Sequence, residues 1–121
     1  MEFDKNRPIY LQILEDFENK ISSGKWESGD KIDSVRNLSK EYEVNPNTVQ
    51  RALQELEREN LAESKRTAGR FVTENTKLIE KLSNKAFYEN MDEFIEKSKA
   101  LNVEKKTALK KLDDYWEDNN D

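Results

Sequence analysis

The chain has no cysteine and no histidine, and only three glycines and two prolines among 121 residues. Without a thiolate or an imidazole it lacks two common nucleophiles, the usual zinc ligands and the ordinary proton shuttle near neutral pH. It does not read as an enzyme, and no cofactor is implied. The missing cysteines also fit a reducing compartment. Long hydrophobic runs are absent too: no stretch approaches the roughly 20 apolar residues of a membrane span. The opening MEFDKNRPIY has acidic residues where a signal peptide needs an apolar core, so the chain reads as cytoplasmic. Apolar residues are scarce, 34% against 39% charged. That leaves a thin core and much exposed surface, and a second copy of the chain is a natural way to bury more of it.

The few prolines and glycines fall where they punctuate. In RPIYLQILEDFENKISSG, Ile9, Tyr10, Ile13, Leu14, Phe17 and Ile21 recur at helical spacing. Pro8 suits the first turn of this helix and Gly24 ends it. The segment KWESGDKID follows as a loop whose Trp26 and Ile32 tuck back onto the core. A second, short helix starts at the N-cap Ser34 and buries Val35, Leu38 and Tyr42. Glu43 and Val44 make a turn. Asn45 then caps a third helix, over about residues 46–59, with Pro46 at its first position. Val49, Ala52, Leu53 and Leu56 form its inner stripe, and Asn60 is its left-handed stop. LAESKRTAGRFV reads as two strands, 61–64 and 70–73, around a turn containing Gly69. Short helix, turn, polar-fronted helix and basic hairpin together predict a winged helix-turn-helix.

From Glu74 onward there is neither proline nor glycine. Leu78, Leu82, Phe87, Met91, Phe94, Ile95 and Leu101 mark one long fourth helix, and Asn102 breaks it. Val103, Ala108, Leu109, Leu112, Tyr115 and Trp116 predict a fifth helix that folds back as a hairpin, with EDNND as a frayed tail. The expected fold is mainly α (α+β): a winged helix-turn-helix over residues 1–73 and a helical hairpin over 74–121.

Charge gives a divided signal. The formal net charge is -5, shared between the two parts, which argues against a non-specific coat on nucleic acid. Along the sequence the signs separate. Lys65, Arg66 and Arg70 stand in the hairpin with no acid between them, while Glu55, Glu57 and Glu59 crowd the end of the third helix and read as a solvated face. Lys105, Lys106, Lys110 and Lys111, interspersed with Glu104, Asp113 and Asp114, read the same way.

The segments PIYLQI, SGKWESGDKI, SVRNLSKEY, VNPNTVQRALQELEREN and GRFV, in this order and spacing, resemble the GntR family of bacterial transcription regulators. NPNTVQRA looks most like its YtrA-type branch. The resemblance covers about residues 3–73 and implies DNA binding on a two-fold operator. For residues 74–121 it implies two helices that form a homodimer in place of a large ligand-binding domain. It further suggests control of a neighbouring transport operon, often for an ABC transporter, or of a stress operon. Two departures stand out. Ile32, Asp33 and Ser34 replace the family's Leu-Pro-Ser, and the wing Arg66-Thr67-Ala68-Gly69-Arg70 has one glycine fewer and one arginine more than the usual Arg-Gly-x-Gly-Thr. The added arginine implies one further phosphate contact.

Asn47, Thr48, Gln50 and Arg51 lie on or beside the face opposite Val49, Leu53 and Leu56. On an ordinary surface helix they would be solvated; in this setting they are candidates to meet the major groove. The amides of Asn47 and Gln50 suit base edges, adenine in particular, while Thr48 and Arg51 suit bases or phosphate. Asn45 is a cap first, and its amide could also meet phosphate at the helix N-terminus. Arg36 is a candidate backbone contact, against an ion pair with Glu41. Lys65, Arg66, Gly69 and Arg70 make the wing, which would lie on phosphate or in the minor groove. Leu82, Phe87, Met91, Phe94, Ile95, Leu112, Tyr115 and Trp116 are candidates for a dimer seam. An effector pocket among the aromatics is the other reading, for a small molecule of unidentified chemistry, but two helices enclose little volume. The expectation is a dimeric repressor; the competing class is a winged-helix adaptor that binds protein partners and has no affinity for DNA.

Overall fold

A computed structural model describes residues 1–118 and divides into two compact units, residues 1–83 and residues 84 onward. Helix α1, Ile9–Ser22, carries the first apolar stripe, and the left-handed Gly24 (φ 81°) follows its end. Helix α2, Val35–Tyr42, starts on Ser34, whose hydroxyl accepts the Asn37 N–H at 3.1 Å. It stops at Glu43, which takes the left-handed conformation at φ 57°. After Glu43, Val44 and Asn45 comes helix α3, Pro46–Arg58, where the Asn45 side chain accepts the Asn47 N–H at 2.8 Å and Pro46 occupies the first turn. This is the capped, proline-started helix that the sequence predicts.

Phe17, Ile13, Ile21, Leu38, Val49, Leu53, Leu56 and Val72 are fully buried and bind α1, α2, α3 and the hairpin together. Trp26 stacks on Phe17 with ring centroids 5.1 Å apart, and Ile32 is buried, so the loop folds back as expected. Beneath them Tyr42 donates its hydroxyl proton to Asp16 and accepts from Lys20 at 2.7 Å. Burial, and then the Asp16 carboxylate, raise the Tyr42 hydroxyl far above its ordinary value.

The wing strands are β1, Ala62–Lys65, and β2, Gly69–Val72, antiparallel with Ala62 opposite Val72 and Lys65 opposite Gly69. They begin one residue off the predicted bounds because Leu61 finishes α3, its N–H bonding the Leu56 carbonyl at 3.1 Å behind the left-handed Asn60. A short 3-10 turn, Arg66–Ala68, fills the tip. The segment around Lys31 pairs with the outer edge of β2: Ile32 N–H reaches the Arg70 carbonyl at 2.9 Å, and Val72 N–H reaches that of Asp30 at 2.8 Å. The loop thus covers an edge that would otherwise be open.

The expected single long helix after Glu74 is two helices. Helix α4, Thr76–Ser83, lays Leu78, Ile79 and Leu82 against the core of the first unit. The Ser83 hydroxyl donates to the carbonyls of Ser22 at 3.1 Å and Ile79 at 3.0 Å, which ties the end of α4 to the end of α1. The compact unit therefore closes at Ser83, beyond the Thr73 boundary expected from composition.

In the second unit, helix α5, Lys85–Ala100, ends before the left-handed Asn102 (φ 60°), the predicted break, and helix α6, Lys105–Asp118, follows. Neither helix buries a residue among those described. Phe87, Tyr88, Tyr115 and Trp116 are all more than half exposed. A groove of about 350 Å³ between the two helices is lined by Met91, Phe94, Ile95, Val103, Leu109 and Leu112 among others. Of the tail EDNND, Glu117 and Asp118 close α6, and the rest lies outside the described residues. No helix among the described residues is long and apolar enough to cross a membrane.

Candidate nucleic-acid interface

The first turns of α3 present Asn47 and Arg51 exposed and Thr48 and Gln50 half-buried, with Val49 turned into the core. The Asn45 oxygen is committed to its cap, and its amide donates to no protein group among the described residues. On α2, Arg36 is exposed and enters no ion pair among the described residues. The alternative partner Glu41 instead meets Lys20 at 3.7 Å. Asp33 accepts the Ser34 N–H and the Asn37 amide, both at 2.8 Å, and these bonds hold its carboxyl below the usual range. Asp33 thus reinforces the Ser34 cap in place of the family's proline.

Two arginines are held in ways the sequence did not suggest. The Arg51 guanidinium lies 3.7 Å from the centre of the Tyr10 ring, so an α1 residue assigned to the apolar stripe supports an α3 cation from beneath. Arg70 does not project as a free wing cation. Its Nε donates to Glu57, and its Nη1 reaches Gln50 Oε1 at 3.4 Å. Glu57 also accepts from the Ser64 hydroxyl at 3.1 Å. In the free chain, then, Glu57 is ion-paired where the sequence reads it as solvated, and Arg70 is a paired cation where the sequence reads it as free. Along the same stretch of α3, Glu55 pairs with Arg58 three residues on, at 3.3 Å. A helical spacing of seven residues aligns Gln50 and Glu57 along one side of α3, which the strand register brings under Arg70.

At the wing tip, Lys65 leans over the Phe71 ring at 4.8 Å, and Arg66 is exposed with no ion pair or hydrogen bond to its side chain among the described residues. Arg66 takes a left-handed φ of 36°, and Gly69 has φ 108°. A Cβ at Gly69 would come within 3.1 Å of the Lys31 side chain, so this glycine serves the backbone of the tip. The remaining cations, Arg36, Arg51, Lys65 and Arg66, are all exposed. Leu82, expected in a dimer seam, packs against the core of the first unit. Tyr10, Glu57 and Lys31 were not among the sequence candidates.

The profile of the bacterial regulatory proteins of the gntR family matches residues 9–72. The chain belongs to the GntR family. This family comprises transcription regulators and is not an enzyme class. The match runs from the start of α1 to the end of β2 and so takes in every element that builds this surface. The GntR chain is 32% identical over 116 residues to the HTH-type transcriptional regulator YhcF of Bacillus subtilis (strain 168), covering 96% of each. It is 43% identical over 70 residues to the HTH-type transcriptional repressor YtrA of the same organism, which spans 58% of this chain and 54% of YtrA. A solved GntR family transcriptional regulator from Listeria monocytogenes is 36% identical with a TM-score of 0.71, over 93% of this chain and 98% of that one.

Proposed function

We propose that this GntR regulator is a cytoplasmic, homodimeric repressor that binds a two-fold DNA operator. Helix α3 enters the major groove with Asn47, Thr48, Gln50 and Arg51, and the wing lies along phosphate and the minor groove with Lys65 and Arg66. Arg36 contacts the backbone. The observation that carries the reading is the contrast within α3. Its core face is fully buried, while its capped front presents Asn47 and Arg51 to solvent beside cations that have no acidic partner among the described residues. Repression follows the likeness to YtrA, which is named a repressor, and the regulated genes are placed in a transport or stress operon.

The dimer rests on the second unit. Phe87, Phe94, Ile95, Tyr115 and Trp116 stay exposed along two helices that bury nothing in the single chain, and a second copy would cover them. The groove lined by Met91, Phe94, Ile95 and Leu112 is the place an effector would occupy, but the exposed aromatics beyond it favour the dimer seam. The adaptor alternative keeps the net charge of -5 in its favour. A two-fold dimer reads half-sites about one helical turn apart or a multiple of it. Inserting about 5 bp, half a turn, between the half-sites should reduce binding to that of a single half-site. Binding indifferent to the insertion would exclude the two-fold reading.

A further inference from the structure

Arg70 occupies an unusual position for a wing cation: it is mostly covered, its charge is balanced by Glu57, and one edge of its guanidinium faces Gln50. Glu57 is itself fixed from the far side by Ser64, opposite Arg70 in the strand register. The order is Ser64, Glu57, Arg70, Gln50. At 3.4 Å the positive guanidinium attracts the carbonyl end of the Gln50 carboxamide, and the Nε2 amide is directed away. Nε2 donates to no protein group among the described residues.

We infer that Arg70 is a positioning residue for base reading, which orients the Gln50 carboxamide so that it offers the groove donors and not an acceptor. The inference rests on the DNA-binding reading and adds to it the chemical class of base edge that Gln50 meets. A glutamine pairs with adenine through both ends of its amide, accepting from N6 and donating to N7. With Oε1 drawn to Arg70, the donating end is the one Gln50 offers most readily to the groove. The matching edges carry acceptors alone where Gln50 points: guanine O6 and N7, or thymine O4. Adenine, the first expectation for this side chain, is disfavoured because its N6 donor meets no acceptor. The added arginine in the wing therefore changes what a helix residue reads, without touching a base or a phosphate itself.

The test uses the full chain and a site selected from a random DNA pool, titrated against every single-base change. The wild type should prefer guanine or thymine at the position where Gln50→Ala flattens the profile. Arg70→Ala should raise relative binding to adenine at that same position by at least about fivefold, the size of one base contact. Arg70→Lys, which keeps the charge but lacks the rigid planar fork that faces Glu57 and Gln50 together, should shift the profile the same way with an unchanged salt dependence. Glu57→Gln reads the same shift should either arginine variant fold poorly. A uniform loss of affinity in Arg70→Ala with the base profile intact would overturn the inference and return Arg70 to phosphate. A wild-type profile already favouring adenine at that position would overturn it too. If no site is enriched by the wild type, the DNA-binding reading itself fails, and this inference with it.

Discussion

Arg70 in the wing and Glu57 in α3 form an ion pair across 13 residues of sequence, and each is more than two-thirds covered. The pair ties the second wing strand to the exposed side of the helix that carries the candidate base readers. Because Glu57 also holds Ser64, wing and helix behave as one surface.

That linkage should be measurable as stability. Glu57→Ala leaves Arg70 partly covered without its carboxylate and should cost about 1 to 2 kcal/mol. Double-mutant cycles with Arg70→Ala, read from urea midpoints, should give a coupling of about 0.5 kcal/mol or more, as expected of contacting residues. Strict additivity would mean the pair is a surface contact of no consequence to stability.

Arg66 is a wing cation with neither an ion pair nor a ring contact among the described residues, whereas Lys65 leans on Phe71, so Arg66 is the one to follow by salt. Arg66→Ala should weaken binding to all sequences alike and reduce the slope of log K against log salt by about one. A change of base preference in place of a change of slope would assign Arg66 to a base edge.

The core beneath α3 is thin, so truncation there should be costly. Leu53 and Leu56 are fully buried, and either change to alanine should cost about 2 to 5 kcal/mol. Asn45→Ala, which removes the cap on α3, should cost about 1 kcal/mol. Thermal unfolding monitored by circular dichroism checks both, and the order of the two effects is the point: a cap that outweighs the core would contradict the packing described.

Two groups set pH limits of opposite sign. The Tyr42 hydroxyl is raised above its ordinary value near 10.0, chiefly by burial. The folded protein keeps a proton that the unfolded chain releases above that pH, so this contribution is complete below pH 10 and is lost as pH rises further. Asp33 is held below its ordinary 3.8 by Asn37 and Ser34, so its contribution is present above that pH and is lost in more acid solution. Urea midpoints across pH should fall at both ends. The alkaline fall should be smaller in Tyr42→Phe and the acid fall smaller in Asp33→Asn, and variants that leave the curves unchanged would remove these groups from the account.

The second unit should decide the assembly. Phe94→Lys together with Leu112→Glu places charges on the exposed apolar faces of α5 and α6. Sedimentation should then show monomers, while the first unit, with its separate core, unfolds as before. A dimer that survives both changes would place the seam elsewhere.

The winged fold was legible because its signals are local. Caps at Ser34 and Asn45, the proline at position 46, and the left-handed Asn60 and Asn102 can each be read from a residue and its neighbours. The break between α4 and α5 was not, because it depends on Ser83 bonding to Ser22, 61 residues away. The packing of Leu82 on the first unit was hidden for the same reason: a helical stripe shows that a face is covered but not by what. The candidate surface was legible as a set of residue types, and the first turn of α3 and the wing lie where the pattern put them. The charges were not. The linear separation of Lys65, Arg66 and Arg70 from Glu57 hid a pairing that only the strand register creates. Likewise nothing in the spacing of Tyr10 indicated that its ring would support Arg51.

The central claim is that this surface selects a DNA sequence and does so as a two-fold pair. Selection of bound fragments from a random DNA pool by the full chain, at low salt and with sequencing of the enriched sites, tests it most directly. The account predicts an inverted repeat whose half-sites lie about one helical turn, or a multiple, apart. Enrichment of no sequence, or of a single site without two-fold symmetry, would contradict it.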